Sequence, residues 1–239
     1  MTITNIQRNQ INKMNKASQN PLLGTIIQNL QNETANISSG SAKFGDSQNY
    51  SYFTPSGSLV FSGSATVYRD IIMPAINLRP GGTPPTFGAF TDAIYSFGFA
   101  ASTADELHGS AEIQHDYKEG TSIEVHCHWS PNSTNVGGCA WKFEYSIANV
   151  SGSFPPSTTL VPTSGSSSTG ITNSHIITNL GVIPGTIAGS PIKIGAVIAY
   201  RIYRDGNTDP DTFTGVSFLH SVGIHYICDT IGSNLPLSK

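Results

Sequence analysis

The chain has 239 residues, room for one large β domain with an appendage or for two small domains. Charged residues make up 11 % of it and the net charge is −3, against the ~25 % charged of ordinary soluble domains. That balance argues against a nucleic-acid partner, and no apolar run approaches the ~20 residues that span a bilayer.

Residues 1–45 differ from the rest. They are dense in Asn and Gln and hold no aromatic residue before Phe44. Leu23, Ile27, Leu30, Thr34 and Ile37 follow a 4-3-4-3 spacing, a short coiled-coil seam. Pro21 suits the first turn of a helix starting there. Two heptads are too few to hold a lone helix in water. The seam therefore needs copies of itself or a surface to dock on; packing on its own β domain and a disordered tail stay open. Leu23, Ile27, Leu30 and Ile37 are the expected oligomerisation residues. The start, MTITNIQRNQ, has no apolar signal-peptide region.

Ser38–Ser41 reads as a linker. Beyond it come β-type runs at 58–67, 93–100, 112–115, 123–129, 140–149, 175–180, 192–203 and 216–228. Turns such as Pro80-Gly-Gly, Glu119-Gly, Gly137-Gly, Pro184-Gly and Asp205-Gly separate them. The expected fold is mainly β: a jelly-roll-like antiparallel β-sandwich over 46–239, preceded by a short N-terminal α-helical stalk. Residues 151–170 read as a long exposed loop. Ten aromatic residues between Tyr50 and Phe99 are expected in the core, with some at a subunit interface or stacked on sugars.

Gly120–Tyr145 carries the most chemistry. In Ile123–Trp129, Glu124, His126 and His128 share one face, and Val125, Cys127 and Trp129 the other. In the following run, Trp141, Phe143 and Tyr145 alternate with Lys142, Glu144 and Ser146. The two runs read as a hairpin with one apolar and one ionisable face. Two His at i and i+2 can face one metal ion, and Gly120-x5-His126-x-His128 matches the first half of a cupin metal motif. The carboxylate that the motif wants next is missing, since Asn132 and Ser133 stand there. Glu144 is the substitute and His225 the third imidazole, with His115 and His220 as further candidates. The alternative is a structural polar layer hydrogen-bonded within the fold or at an interface. No cofactor is expected beyond such an ion.

Other motifs carry less. Asp205, Asn207, Asp209 and Asp211 have a calcium-loop look, but Pro210 and Val216 replace the Gly and Glu that an EF-hand needs. Nucleophile-elbow, P-loop and dinucleotide patterns are missing, and the expectation is a protein that is not an enzyme. Cys127, beside Trp129 on the apolar face, reads as a core residue.

Several segments together carry a family resemblance: Gly57–Asp70 (GSLVFSGSATVYRD), Asp105-Glu-Leu, His115–Gly120 (HDYKEG), Ile123–Trp129 (IEVHCHW), Trp141–Tyr145 (WKFEY) with Ala148-Asn-Val, Tyr200–Gly206 (YRIYRDG), Ile224-His-Tyr226 and Asp229–Ser233 (DTIGS). Over residues 55–233 the chain resembles a family of tailed-bacteriophage virion structural proteins. Members often have Pro where this chain has Glu124 or Val125. The resemblance implies a virion component assembled in the host bacterial cytoplasm, a β-sandwich head on a helical stalk, working as a homotrimer. Its expected partners are copies of itself and capsid or tail proteins. A receptor-binding reading adds host-surface glycans.

Overall fold

The structure, a computed structural model, describes residues 43–55, 57–162, 166–206, 211–236 and 238–239. The expected helical seam of Leu23, Ile27, Leu30 and Ile37 lies outside them. The chain divides into two compact units, Met1–Ala65 and Thr66–Lys239. In the first, β1 (Lys43–Gly45), β2 (Tyr50–Phe53) and β3 (Leu59–Ser62) form an antiparallel sheet in that order. The Asp46 carboxylate closes the β1–β2 turn by accepting the backbone N–H groups of Asn49 (2.6 Å) and Gln48 (2.8 Å). Those bonds, Asn49's first, hold its pKa below the ordinary value.

The second unit runs β4 (Val67–Pro74), β5 (Arg79–Pro80), β6 (Thr86–Thr91), β7 (Ile94–Phe99), β8 (Glu106–Glu112), β9 (Ile123–Pro131), β10 (Gly138–Cys139) and β11 (Trp141–Ala148). It continues with β12 (Thr158–Leu160), β13 (Ser166–Ser167), β14 (Ile176–Ile183), β15 (Thr186–Ile187), β16 (Ser190–Pro191), β17 (Val197–Arg204) and β18 (Ser217–Cys228). A six-stranded antiparallel sheet has the order β14-β9-β18-β7-β6, with β4 also on β18. A five-stranded antiparallel sheet has the order β12-β11-β17-β8-β5. The architecture is a mainly antiparallel β-sandwich.

Alternation explains the long strands. In β9, Ile123, Val125, Cys127 and Trp129 are fully buried, and in β11 Trp141, Phe143 and Tyr145 are buried with Lys142, Glu144 and Ser146 between them. These inward faces meet across the core, where the Trp129 and Trp141 ring centroids lie 6.2 Å apart and Phe99 stands edge-on to Trp141 at 4.8 Å. Large aromatics bury roughly 150–250 Å² each. At about 25 cal/mol per Å² that gives several kcal/mol per ring before entropy is charged.

The hairpin expected over Gly120–Tyr145 does not form. β9 pairs with β14 and β18, and β11 pairs with β12 and β17. A flat hairpin would leave both tryptophans on one open surface. Placing the two strands in opposite sheets buries both apolar faces against each other. The run expected at 112–115 is also displaced: the strand is Glu106–Glu112.

The early aromatic residues are not all core. Phe97 and Phe99 are buried, while Phe87 is 48 % and Tyr95 53 % exposed. Phe87 packs on Tyr95 and Phe97 with ring centroids 5.7 and 5.0 Å apart. The expected loop at 151–170 contributes two short strands, β12 and β13.

Arg204 closes one end of the core. It is fully buried and donates from Nε and Nη2 to the Asp211 carboxylate, both at 2.8 Å. It also donates to the carbonyls of Phe99, Gly215 and Phe213. Burial works to lower its pKa, but the Asp211 bonds prevail and raise it. This pair also accounts for Asp211 of the calcium-like segment, whose carboxylate is committed to a guanidinium. Asp205 likewise accepts from Lys142 Nζ at 2.5 Å.

Candidate functional site

The outer face of the six-stranded sheet collects five of the chain's seven histidines: His126, His128, His175, His220 and His225. Cross-strand register lays this face out in rows. Asp70 on β4, His225 on β18, Glu124 on β9 and Val182 on β14 form one row. Ile72, Gly223, His126 and Asn179 form the next, then Pro74, Ser221, His128 and Ile177. The rows floor an open depression of about 570 Å³.

Two local devices build it. β18 carries an extra residue, His220, between Leu219 (opposite Trp129) and Ser221 (opposite His128). This bulge shifts the phase of the strand, so that Leu219 and Val222 both point to the core while His225 points outward. Gly223 then leaves space for a ring: a Cβ there would stand 2.2 Å from His126 Nε2. His126 thus lies across β18, and a glycine inside a strand marks that close approach.

The imidazoles are held in pairs. His225 Nδ1 is 2.5 Å from Asp70 Oδ1, and Tyr68 covers the His225 ring at 4.6 Å. With Asp70 as acceptor, His225 Nδ1 carries the bonding proton. His128 Nδ1 and His175 Nε2 are 2.7 Å apart. The His126 ring stands 5.0 Å from His128 and 6.2 Å from His225. His220 Nε2 meets Ser130 Oγ at 2.8 Å, and Phe90 packs edge-on against its ring.

Burial lowers the pKa of His126 despite the Asp70 charge, and His225 adds to the lowering. Burial also lowers His128, with His126 and His175 repelling its charged form, and lowers His220, with His175 and His128 repelling. These three rings are therefore neutral near pH 7, with nitrogen lone pairs available as acceptors or ligands.

Of the four residues expected to share a metal, the structure brings His126, His128 and His225 to this face and leaves Glu144 out. Glu144 lies on the outer face of the opposite sheet, because β11 belongs to that sheet. There it accepts from Arg201 Nε at 2.6 Å and from the Ser157 hydroxyl at 2.5 Å. His220 joins the imidazole face; His115 lies in the turn after β8. Among the described residues no three His, Cys, Asp or Glu groups converge as a ready metal site. Asp70, His175 and Gly223 were not singled out by sequence reasoning. The one available signal is Gly223, a glycine in the middle of a long β run.

No family model matches the chain, and no curated protein is significantly similar to it in sequence. Among solved structures it is similar to a chain of the infectious bursal disease virus Gt strain (13 % identity, TM-score 0.35), covering 81 % of this chain and 38 % of that one. It is similar to dimeric latent PorU from Porphyromonas gingivalis (10 % identity, TM-score 0.30), covering 68 % and 13 %. It is also similar to TmCBM61 in complex with β-1,4-galactotriose (12 % identity, TM-score 0.23), covering 68 % and 88 %. The chain spans well under half the length of the viral chain it resembles. At these values none of the likenesses bears on what this chain does.

Proposed function

We propose that the chain is a structural protein of a bacteriophage particle, a head-fibre or capsid-decoration subunit that works as a homotrimer. Residues 1–45 serve as its anchor or trimerisation segment. The observation that carries this reading is the outer face of the six-stranded sheet. Around its imidazoles it presents Tyr68, Ile72, Ile177 and Val182, each about half exposed. An apolar-rimmed sheet face of this size suits burial against another subunit. The low charge of the chain fits the same use, since few charges need to be desolvated on assembly. The resemblance over residues 55–233 supports the phage assignment.

Mass measurement in solution tests it, by light scattering on the intact chain and on one lacking residues 1–42. The expected result is a trimer that weakens or dissociates on truncation. A monomer at micromolar concentration with the N-terminal segment present overturns the trimer. Microscopy of particles with and without the protein then decides whether it sits on the head.

One observation favours a second reading, glycan binding at the particle surface. The exposed rings of Phe87 and Tyr95 lie side by side on the β6–β7 edge, as stacking platforms for sugars do. Glycan-array binding lost in Phe87→Ala and Tyr95→Ala supports this reading; an array silent for the intact protein removes it.

A further inference from the structure

We propose that His128 and His175 form a binding site for one borderline divalent cation of the Zn²⁺ or Ni²⁺ class, a pair distinct from the set expected from sequence. The two residues lie 47 positions apart, yet His128 Nδ1 and His175 Nε2 face each other at 2.7 Å. The ring centroids are 5.0 Å apart with planes only 17° from parallel. That centroid separation is what two five-membered rings span when joined nose to nose across such a contact. The rings are therefore in line, not face to face, and the two nitrogens aim at each other.

In the metal-free pair, one nitrogen donates its N–H and the other accepts. Moving the donor ring's proton to its other nitrogen leaves lone pairs on both facing atoms, with no proton gained or lost by the protein. A cation at ~2.0–2.1 Å from each nitrogen at a tetrahedral angle needs the nitrogens roughly 3.3 Å apart, so the 2.7 Å gap must widen and the His175 ring must swing out of line. His175 can supply that movement because it is exposed, just ahead of β14. Water completes the coordination, consistent with the lack of a third converging ligand among the described residues. Imidazole suits this class of cation better than it suits Ca²⁺ or Mg²⁺. Bound metal would staple the segment before β14 to the middle of β9.

Isothermal titration of the full chain with ZnCl₂ and NiCl₂, in buffer free of chelator, tests the site. The expected result is saturable binding of one ion per chain, with a rise in Tm on saturation. Affinity falls roughly tenfold or more in His175→Ala, where one of two ligands is gone, and is unchanged in His115→Ala. Because position 175 is exposed, the first variant keeps its fold. Absence of saturable binding, or a His175→Ala variant that binds like the parent, overturns the proposal. Imidazole ¹⁵N spectra give a second reading: the nitrogens of His128 and His175 must shift first, and shifts confined to His126 and His225 refute the assignment. Neither experiment depends on the oligomeric state, so the outcome is separable from that of the virion reading.

Discussion

The two sheets of the sandwich treat their outward polar groups in opposite ways. On the five-stranded sheet, Arg201 lies between Glu106 and Glu144, with Nη1 2.5 Å from one carboxylate and Nε 2.6 Å from the other. Both of these carboxylates therefore have a guanidinium beside them. On the six-stranded sheet, five imidazoles crowd together, and only His225 has a carboxylate in hydrogen-bond contact. A face whose charges are paired is finished by its own chain. A face of imidazoles rimmed by Tyr68, Ile72, Ile177 and Val182 keeps apolar area for something else.

The largest effect is expected where both sheets share a support. Arg204→Met leaves the Asp211 carboxylate without its counter-charge and three carbonyls without the guanidinium in the core, and should cost about 3–5 kcal/mol, read by urea unfolding. If the loss is under about 1 kcal/mol, the end of the core is less dependent on that cluster than its bonds imply. Gly223→Ala comes next and separates the two faces. The added methyl must push the His126 ring aside, at about 1–3 kcal/mol. His126 resonances should move while those of Arg201 and its neighbours stay.

Acid then sharpens the contrast from the other side. Burial works to raise the Glu106 pKa, but Arg201, the Gly82 N–H and His108 hold it below its ordinary value of 4.5. Ser157 and then Arg201 do the same for Glu144. Folded values below unfolded ones contribute stability that is fully present above the unfolded value. That stability is lost as pH falls through the folded values. Arg201→Ala should therefore unfold at higher pH than the parent during acid titration. At neutral pH it should cost less than about 1 kcal/mol, because the guanidinium is partly exposed. Equal acid midpoints would show that the network is ornamental. The smallest effect concerns the core behind both faces. Burial raises Cys127 well above its ordinary value, Cys139 to about 12 and Cys228 to about 11. None should react with a thiol reagent at pH 8 until the chain unfolds.

How far these faces were legible in the sequence depends on the range of the signal. Alternation within Ile123–Trp129 and Trp141–Tyr145 assigned every side chain of those strands to the correct side, Cys127 included. Which strands become neighbours is a tertiary outcome, and proximity along the chain misled: Glu144 looked adjacent to His128 and lies in the other sheet. The early aromatic run misled for a related reason, since ring content does not reveal whether a strand is central or, like β6, at a sheet edge. His175 starts a run that was read as a strand, but its meeting with His128 depends on the β14–β9 register. The seam at Leu23–Ile37 lies outside the described residues.

The bulge at His220 makes the imidazole face a matter of counting. The bulge absorbs that single residue: with it, Leu219 and Ser221 still meet the adjacent Trp129 and His128, and the second half of β18 stays in phase. Threaded without a bulge, the same sequence would drive His225 inward, turn Val222 and Ile224 to water, and set Asp70 opposite an aliphatic group. The bulge, as much as residue type, therefore encodes this surface, and deleting one residue within 222–228 should be worse tolerated than deleting His220 itself.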